Sequence, residues 1–144
     1  MEQLKKALEF AVKKEQEAEA FYRQWAEKAQ DPGVRQLFRE LASWEQGHVE
    51  KLSQIQPQEL LAQAPAPQDL KLSELLVEVP ASPEMSLAEA LTLAMKREQA
   101  SVRLYEGLAA LGGPMKGLFA ALAEEERRHK RLLESEYDDL LTEN

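Results

Sequence analysis

The sequence predicts an all-α protein: a four-helix bundle made of two helical hairpins joined by a long crossover linker. Three observations carry this. Apolar residues recur at alternating spacings of four and three along four separate stretches, the pattern of a helix seam that faces inward. Turn residues, Asp31-Pro32-Gly33 and Gly112-Gly113-Pro114, stand between the first and second stretches and between the third and fourth. The second half also repeats the first. A shift of 83 maps Leu4, Leu8, Ala11, Glu15, Tyr22 and Ala26 onto Leu87, Leu91, Ala94, Glu98, Tyr105 and Ala109. A shift of 81 maps Leu37, Phe38, Leu41, Ala42, Glu45, His48 and Leu52 onto Leu118, Phe119, Leu122, Ala123, Glu126, His129 and Leu133.

The first helix is expected over 3–29, with its seam on Leu4, Leu8, Ala11, Glu15, Ala18, Tyr22, Trp25 and Ala29. Asp-Pro-Gly ends it, because these residues favour turns. The second helix is expected over 33–56, with Val34, Phe38, Leu41, Glu45, His48, Leu52 and Ile55 inward. The linker, 57–85, carries five of the seven prolines. A bare loop of that length is unusual in a compact domain, so a short helix is expected over 69–78. The linker can run the length of a helix of about 25 residues, nearly 40 Å. Helix two can therefore lie parallel to helix three, and the same reach allows the hairpins to swap between two chains of a homodimer. The third helix, 86–111, opens on Ser86 with Glu89 three residues on, a capping box. Its seam is Leu87, Leu91, Ala94, Glu98, Ser101, Tyr105 and Leu108. Gly112-Gly113 stops it, and Pro114 suits the start of a fourth helix over 115–141. That helix carries Met115, Phe119, Leu122, Glu126, His129 and Leu133 inward. The hairpins are thus 3–56 and 86–141, within one domain spanning 1–144.

The strongly polar interruptions of the seams are Glu15, Glu45, His48, Glu98, Glu126 and His129. The chain has two histidines, each with a glutamate three residues before it. Residues at i and i+3 share a helix face, so a carboxylate and an imidazole can grip one metal ion together. With 22 glutamates in 144 residues, that spacing arises by chance for one histidine about 15% of the time and for both about 2% on composition alone. Placement of both pairs and two further glutamates on seams lowers this again. The alternatives are a solvated charged face and a metal-free polar network. Four ionised carboxylates in an apolar core repel one another and lose their hydration. Two divalent cations match their charge, and neutral imidazoles complete the coordination. Glutamate from each of two helices plus Glu-x-x-His from each of two others is a dinuclear ligand set of four-helix bundles.

The stretches Glu15 to Tyr22 and Leu41 to His48, and Arg97 to Tyr105 and Leu122 to His129, make the chain similar to the rubrerythrin-type branch of the ferritin-like di-iron carboxylate proteins. The resemblance covers both hairpins. It implies a ferritin-like bundle in which Glu45 and Glu126 bridge two metals, Glu15 and Glu98 bind terminally, and His48 and His129 each hold one ion. It implies two iron ions, with manganese as the alternative and zinc able to enter recombinant material, because these ligand types accept all three. It further implies an oxidoreductase that reduces peroxide or dioxygen through these six residues. Two departures stand out. Rubrerythrins proper carry a further glutamate one turn after the third-helix ligand, where this chain has Ser101. They also carry a cysteine-ligated iron–sulfur domain, and this chain has no cysteine, so electrons must come from an external donor. Two other functions are open: iron binding and oxidation for storage or delivery, and a binding module in which metal is a structural staple.

Tyr22 and Tyr105, two turns beyond Glu15 and Glu98, are candidates to donate hydrogen bonds to ligand carboxylates, or else are core tyrosines with any partner. Ala18 and Ser101 leave room for a small oxidant, or serve close helix packing. Trp25 and Trp44 read as core or rim aromatics. Gly47 weakens its helix without evident reason. The basic run Arg127, Arg128, Lys130 and Arg131 follows Glu124 to Glu126 at the spacing of surface helix pairs such as Glu124–Arg128. A net charge of −8 argues against nucleic acid and anionic membranes as partners. The first residues show no secretory signal or apolar span, and a cytoplasmic location is expected.

Overall fold

The computed structural model describes residues 2–56 and 81–142. Four helices occur among them: α1 (Glu2–Lys28), α2 (Pro32–Ser53), α3 (Leu87–Ala110) and α4 (Lys116–Thr142). The expected helix over 69–78 lies outside the described residues. α1 packs along α2 and α3 along α4, which makes the two hairpins, while α1 also meets α3 and α2 meets α4.

Local chemistry explains the ends. Asp31 caps α2, its side chain accepting from the Val34 amide, and Pro32 takes the first helical position, where its missing N–H is no loss. α2 closes at Ser53 rather than running on to 56; the Gln54 and Ile55 amides turn back onto Lys51 and Leu52 carbonyls. The capping box on α3 forms as its sequence requires: Ser86 accepts from the Glu89 amide and Glu89 accepts from the Ser86 amide. Gly112 and Gly113 adopt φ of 78° and 84°, a conformation open to glycine at little cost. Pro114 falls in that turn, before α4 begins.

Every expected seam residue among those described is buried except Ala18, Leu87, Ser101 and Met115, which are half-buried. The apolar core is divided in two. One cluster joins Leu4 and Leu8 of α1 to Leu52 of α2 and Ile55 just beyond its end, Leu104 and Leu108 of α3, and Phe119 and Leu122 of α4. The other joins Tyr22 and Trp25 to Val34 and Phe38, Ala90 and Leu91, and Leu133. The late part of α2 therefore lies with the late part of α3, so these helices run parallel, as a long crossover demands. The six polar seam residues occupy the layer between the clusters, 0–2% exposed.

Candidate metal centre

Each helix delivers its polar residues by register alone. Glu45 and His48, like Glu126 and His129, are one turn apart on α2 and α4; Glu15 and Glu98 sit singly near the middle of α1 and α3. Their ligand-type atoms form two groups, Glu15, Glu45, His48 and Glu126, and Glu45, Glu98, Glu126 and His129. Within each group these atoms lie within 4.8 Å of one another. Glu45 and Glu126 are common to both groups. His48 Nδ1 is 3.0 Å from Glu15 Oε2 and 3.0 Å from Glu126 Oε1. His129 Nδ1 is 2.9 Å from Glu45 Oε1 and 3.8 Å from Glu98 Oε2. All six residues singled out on the sequence are thus brought together.

The cluster is not satisfied by protein groups. Glu45 Oε2, Glu98 Oε2 and both oxygens of Glu126 are buried with no well-aligned hydrogen bond among the described residues, although Glu126 Oε1 faces His48 Nδ1 at 3.0 Å. A buried acceptor left unmade costs about 1–3 kcal/mol, and more when charged. All four orphaned oxygens belong to the two groups, and carboxylate with imidazole is a donor set that divalent first-row cations accept. The residues present therefore fit metal, and nothing in the set selects one metal over another.

Electrostatics record the crowding. Burial, then the charges of Glu126, Glu15 and Glu98, push Glu45 well above the usual carboxylate range. Burial and the Glu126 charge do the same to Glu98. Glu126 is the exception: burial pushes it up, but the imidazoles of His129 and His48 outweigh burial and hold it low. Burial opposes a charge on His48, yet its contacts with Glu126 and Glu15 carry its pKa up to about 10.

A second layer holds the carboxylates in place. The Tyr22 hydroxyl donates to Glu98 Oε1 at 2.6 Å, and the Tyr105 hydroxyl donates to Glu15 Oε1 at 2.9 Å. Both tyrosines serve the glutamate of the opposite hairpin. Burial, then the nearest carboxylate charge, raises both phenols well above their ordinary value, so they stay protonated donors. Behind His48, its Nε2 lies 2.6 Å from Glu125 Oε2. Sequence reasoning missed Glu125, which was hidden inside the run Glu124-Glu125-Glu126. The repeat held the signal: a shift of 81 sets Glu125 opposite Trp44, a mismatch just before two matched ligand-type residues. Trp44 is 44% exposed and meets the His129 ring edge-on at 5.9 Å; Trp25 is buried against Phe38. The basic run is a surface feature, as expected, but Glu124 pairs with Arg127 and Arg131 rather than Arg128.

Between α1 and α3 a cavity of about 40 Å³ reaches Glu98, lined also by Phe10, Lys14, Ala18, Arg97 and Ser101. None of its lining residues comes from α2 or α4, the helices that carry the histidines. Ala18 and Ser101 thus leave space beside the cluster. That volume holds one or two water-sized molecules. Among the described residues no helix is long and apolar enough to cross a membrane.

No curated protein and no solved structure matches the chain. The family model described as Rubrerythrin matches residues 6–137. With that match spanning both hairpins and all six residues of the buried cluster, the chain belongs to the rubrerythrin family.

Proposed function

We propose that the cluster holds two iron ions and reduces peroxide or dioxygen to water, with electrons from an external donor. Manganese is the alternative metal. The observation that carries the reading is the pair of donor groups sharing Glu45 and Glu126, with four carboxylate oxygens orphaned inside them. In this reading Glu45 and Glu126 would serve both ions, Glu15 and Glu98 would serve one each, and each histidine would hold one ion. Two bound ions, each able to give one electron, would supply the pair that reduces one peroxide to two waters; dioxygen would need a second pair from the external donor. The protein's own part is positional. Tyr22 and Tyr105 fix Glu98 and Glu15. Two apolar clusters above and below the polar layer exclude water. The cavity beside Glu98 admits a molecule the size of peroxide and rejects a large substrate. Lys14 and Arg97 line it but are engaged, Lys14 with Glu17 and Arg97 over the Phe21 ring.

The test is peroxide consumption by anaerobically iron-loaded protein in the presence of a chemical reductant, beside the variant Ser101→Leu. The wild type is expected to turn over peroxide with a change in its near-ultraviolet spectrum. The variant is expected to bind the same iron and react at least about 10-fold more slowly, its cavity filled. Iron-loaded wild type that leaves peroxide untouched would move the reading to a structural metal. Growth of large iron-filled particles would move it to iron storage.

A further inference from the structure

The two halves of the cluster are related by the internal repeat, and the repeat is broken directly behind the histidines. Position 125 on α4 and position 44 on α2 correspond under the shift of 81. One is a carboxylate and the other an indole. Glu125, with its side chain 26% exposed, has Oε2 2.6 Å from His48 Nε2. That contact favours a proton on Nε2, which leaves Nδ1 to ligate once an incoming cation displaces its proton. Nδ1 is the atom that faces Glu15 and Glu126 at 3.0 Å each. In the other half of the cluster, Trp44 lies edge-on to His129. An indole has one donor and no acceptor, so it cannot fix the His129 tautomer as a carboxylate does.

We propose that Glu125 makes the two halves inequivalent, so that the His48 half takes up a divalent cation first and the His129 half second. This rests on the dinuclear reading above. A hydrogen-bonded partner behind a metal-ligating histidine orients the ring and raises its basicity, and its removal costs about 10–100-fold in metal affinity. The half with Glu125 has that advantage and the half with Trp44 does not. Glu125 is a positioning residue: it belongs to neither donor group and meets His48 at Nε2, the ring nitrogen other than the one facing Glu15 and Glu126. The bridging carboxylates and the two tyrosine contacts occur on both sides, and so do not separate the halves.

The experiment is a zinc titration of the whole chain, followed by nitrogen-15 NMR of labelled histidine and by calorimetry. Zinc is diamagnetic, and with two histidines in the chain the ring signals are readily told apart. In the wild type the His48 ring is expected to respond over the first equivalent and the His129 ring over the second, with a protonated His48 Nε2 throughout. Glu125→Ala should weaken the first step about 10–100-fold and bring the two rings into response together. Glu125→Gln retains an acceptor oxygen and should restore much of the order, which a merely structural loss would not show. Trp44→Glu, at an exposed position, should strengthen the second step and narrow the gap from the other side. Two zinc ions bound with both rings responding together, or His129 first, overturns the proposal. So does a folded Glu125→Ala variant with both steps unchanged. Uptake of one ion, at His48 alone, would overturn the dinuclear reading and leave the inequivalence standing.

Discussion

Tyr22 and Glu98 lie on different hairpins, 76 positions apart, and share a buried hydrogen bond of 2.6 Å. Tyr105 and Glu15 repeat the contact in the other direction. Each hairpin thus holds the other's single glutamate. Replacing Tyr22 with Phe strips Glu98 Oε1 of its donor inside the buried cluster. The variant should lose about 1–3 kcal/mol of stability in denaturant unfolding, and Tyr105→Phe should behave alike. Restored stability on metal loading would show that the cation takes over the orphaned oxygen. A variant as stable as the wild type without metal would contradict this account.

Sharing of Glu45 and Glu126 by both donor groups gives a contrast between substitutions. Glu45→Gln should weaken both steps of metal binding, since the residue belongs to both groups. Glu15→Gln should weaken one step and leave the other near its wild-type value. Elemental analysis after anaerobic reconstitution should give two ions per wild-type chain, and calorimetry should separate the variants. If Glu45→Gln affects a single step, the shared position is wrong.

Chelator-treated protein should be more stable at mildly acidic pH than at neutral pH. Glu45 and Glu98 titrate well above their ordinary 4.5 in the folded chain, so the folded state retains protons that the unfolded state gives up. Their favourable contribution is complete below the unfolded value and disappears as pH rises through the raised folded values. Glu126 is shifted down and works the other way, but its contribution is complete above the unfolded value and lost only in stronger acid. His48, raised to about 10, has its full contribution below its ordinary 6.5 and gives it up as pH rises from there towards 10, so it works in the same direction as Glu45 and Glu98. Between pH 5.5 and 7.5, Glu45, Glu98 and His48 therefore all favour the acidic side. Metal reverses it, because cations bind the deprotonated ligands and stabilise the native state. Thermal melting at the two pH values, with chelator and with added manganous ion, checks both signs; an apo melting temperature that rises towards pH 7.5 would refute the first.

Gly47 stands between Glu45 and His48 in α2, and a Cβ built there meets nothing within 4 Å. Neither a close neighbour nor a left-handed backbone calls for glycine. Gly47→Ala should therefore stabilise the protein by about 1 kcal/mol through helix propensity, read as an upward shift in melting temperature. A loss of metal affinity in this variant would reveal a demand for local flexibility that the packing does not show.

Much of this arrangement could be read from the chain because period and chemistry agree. Glu15, Glu45, His48, Glu98, Glu126 and His129 interrupt otherwise apolar seams, and a seam position has one place to go. Ser86 and Glu89 specify a capping box by identity and spacing alone. A long linker permits the parallel course of α2 and α3 without requiring it, and that course is read from Leu52 and Ile55 sharing a cluster with Leu104 and Leu108. Glu125 was harder to read: the repeat marks it only as a mismatch with Trp44, and two glutamates in a row differ in role only through the 100° that separates them on a helix wheel. One reaches the cluster and the other reaches the back of an imidazole on a neighbouring helix. The direction of the tyrosine contacts was equally hidden, because a seam register says that a side chain points inward but not across which axis.

Neither hairpin alone contains a complete donor group: Glu15, Glu45 and His48 need Glu126, while Glu98, Glu126 and His129 need Glu45. A chain carrying one hairpin would have to meet a second molecule before it could complete a donor group, and that completed group would be lost on dilution. Covalent joining makes that encounter intramolecular and replaces bulk concentration with an effective one set by the tether. The duplicated chain therefore gains independence from its own abundance: a single copy, however scarce, owns both halves of its centre.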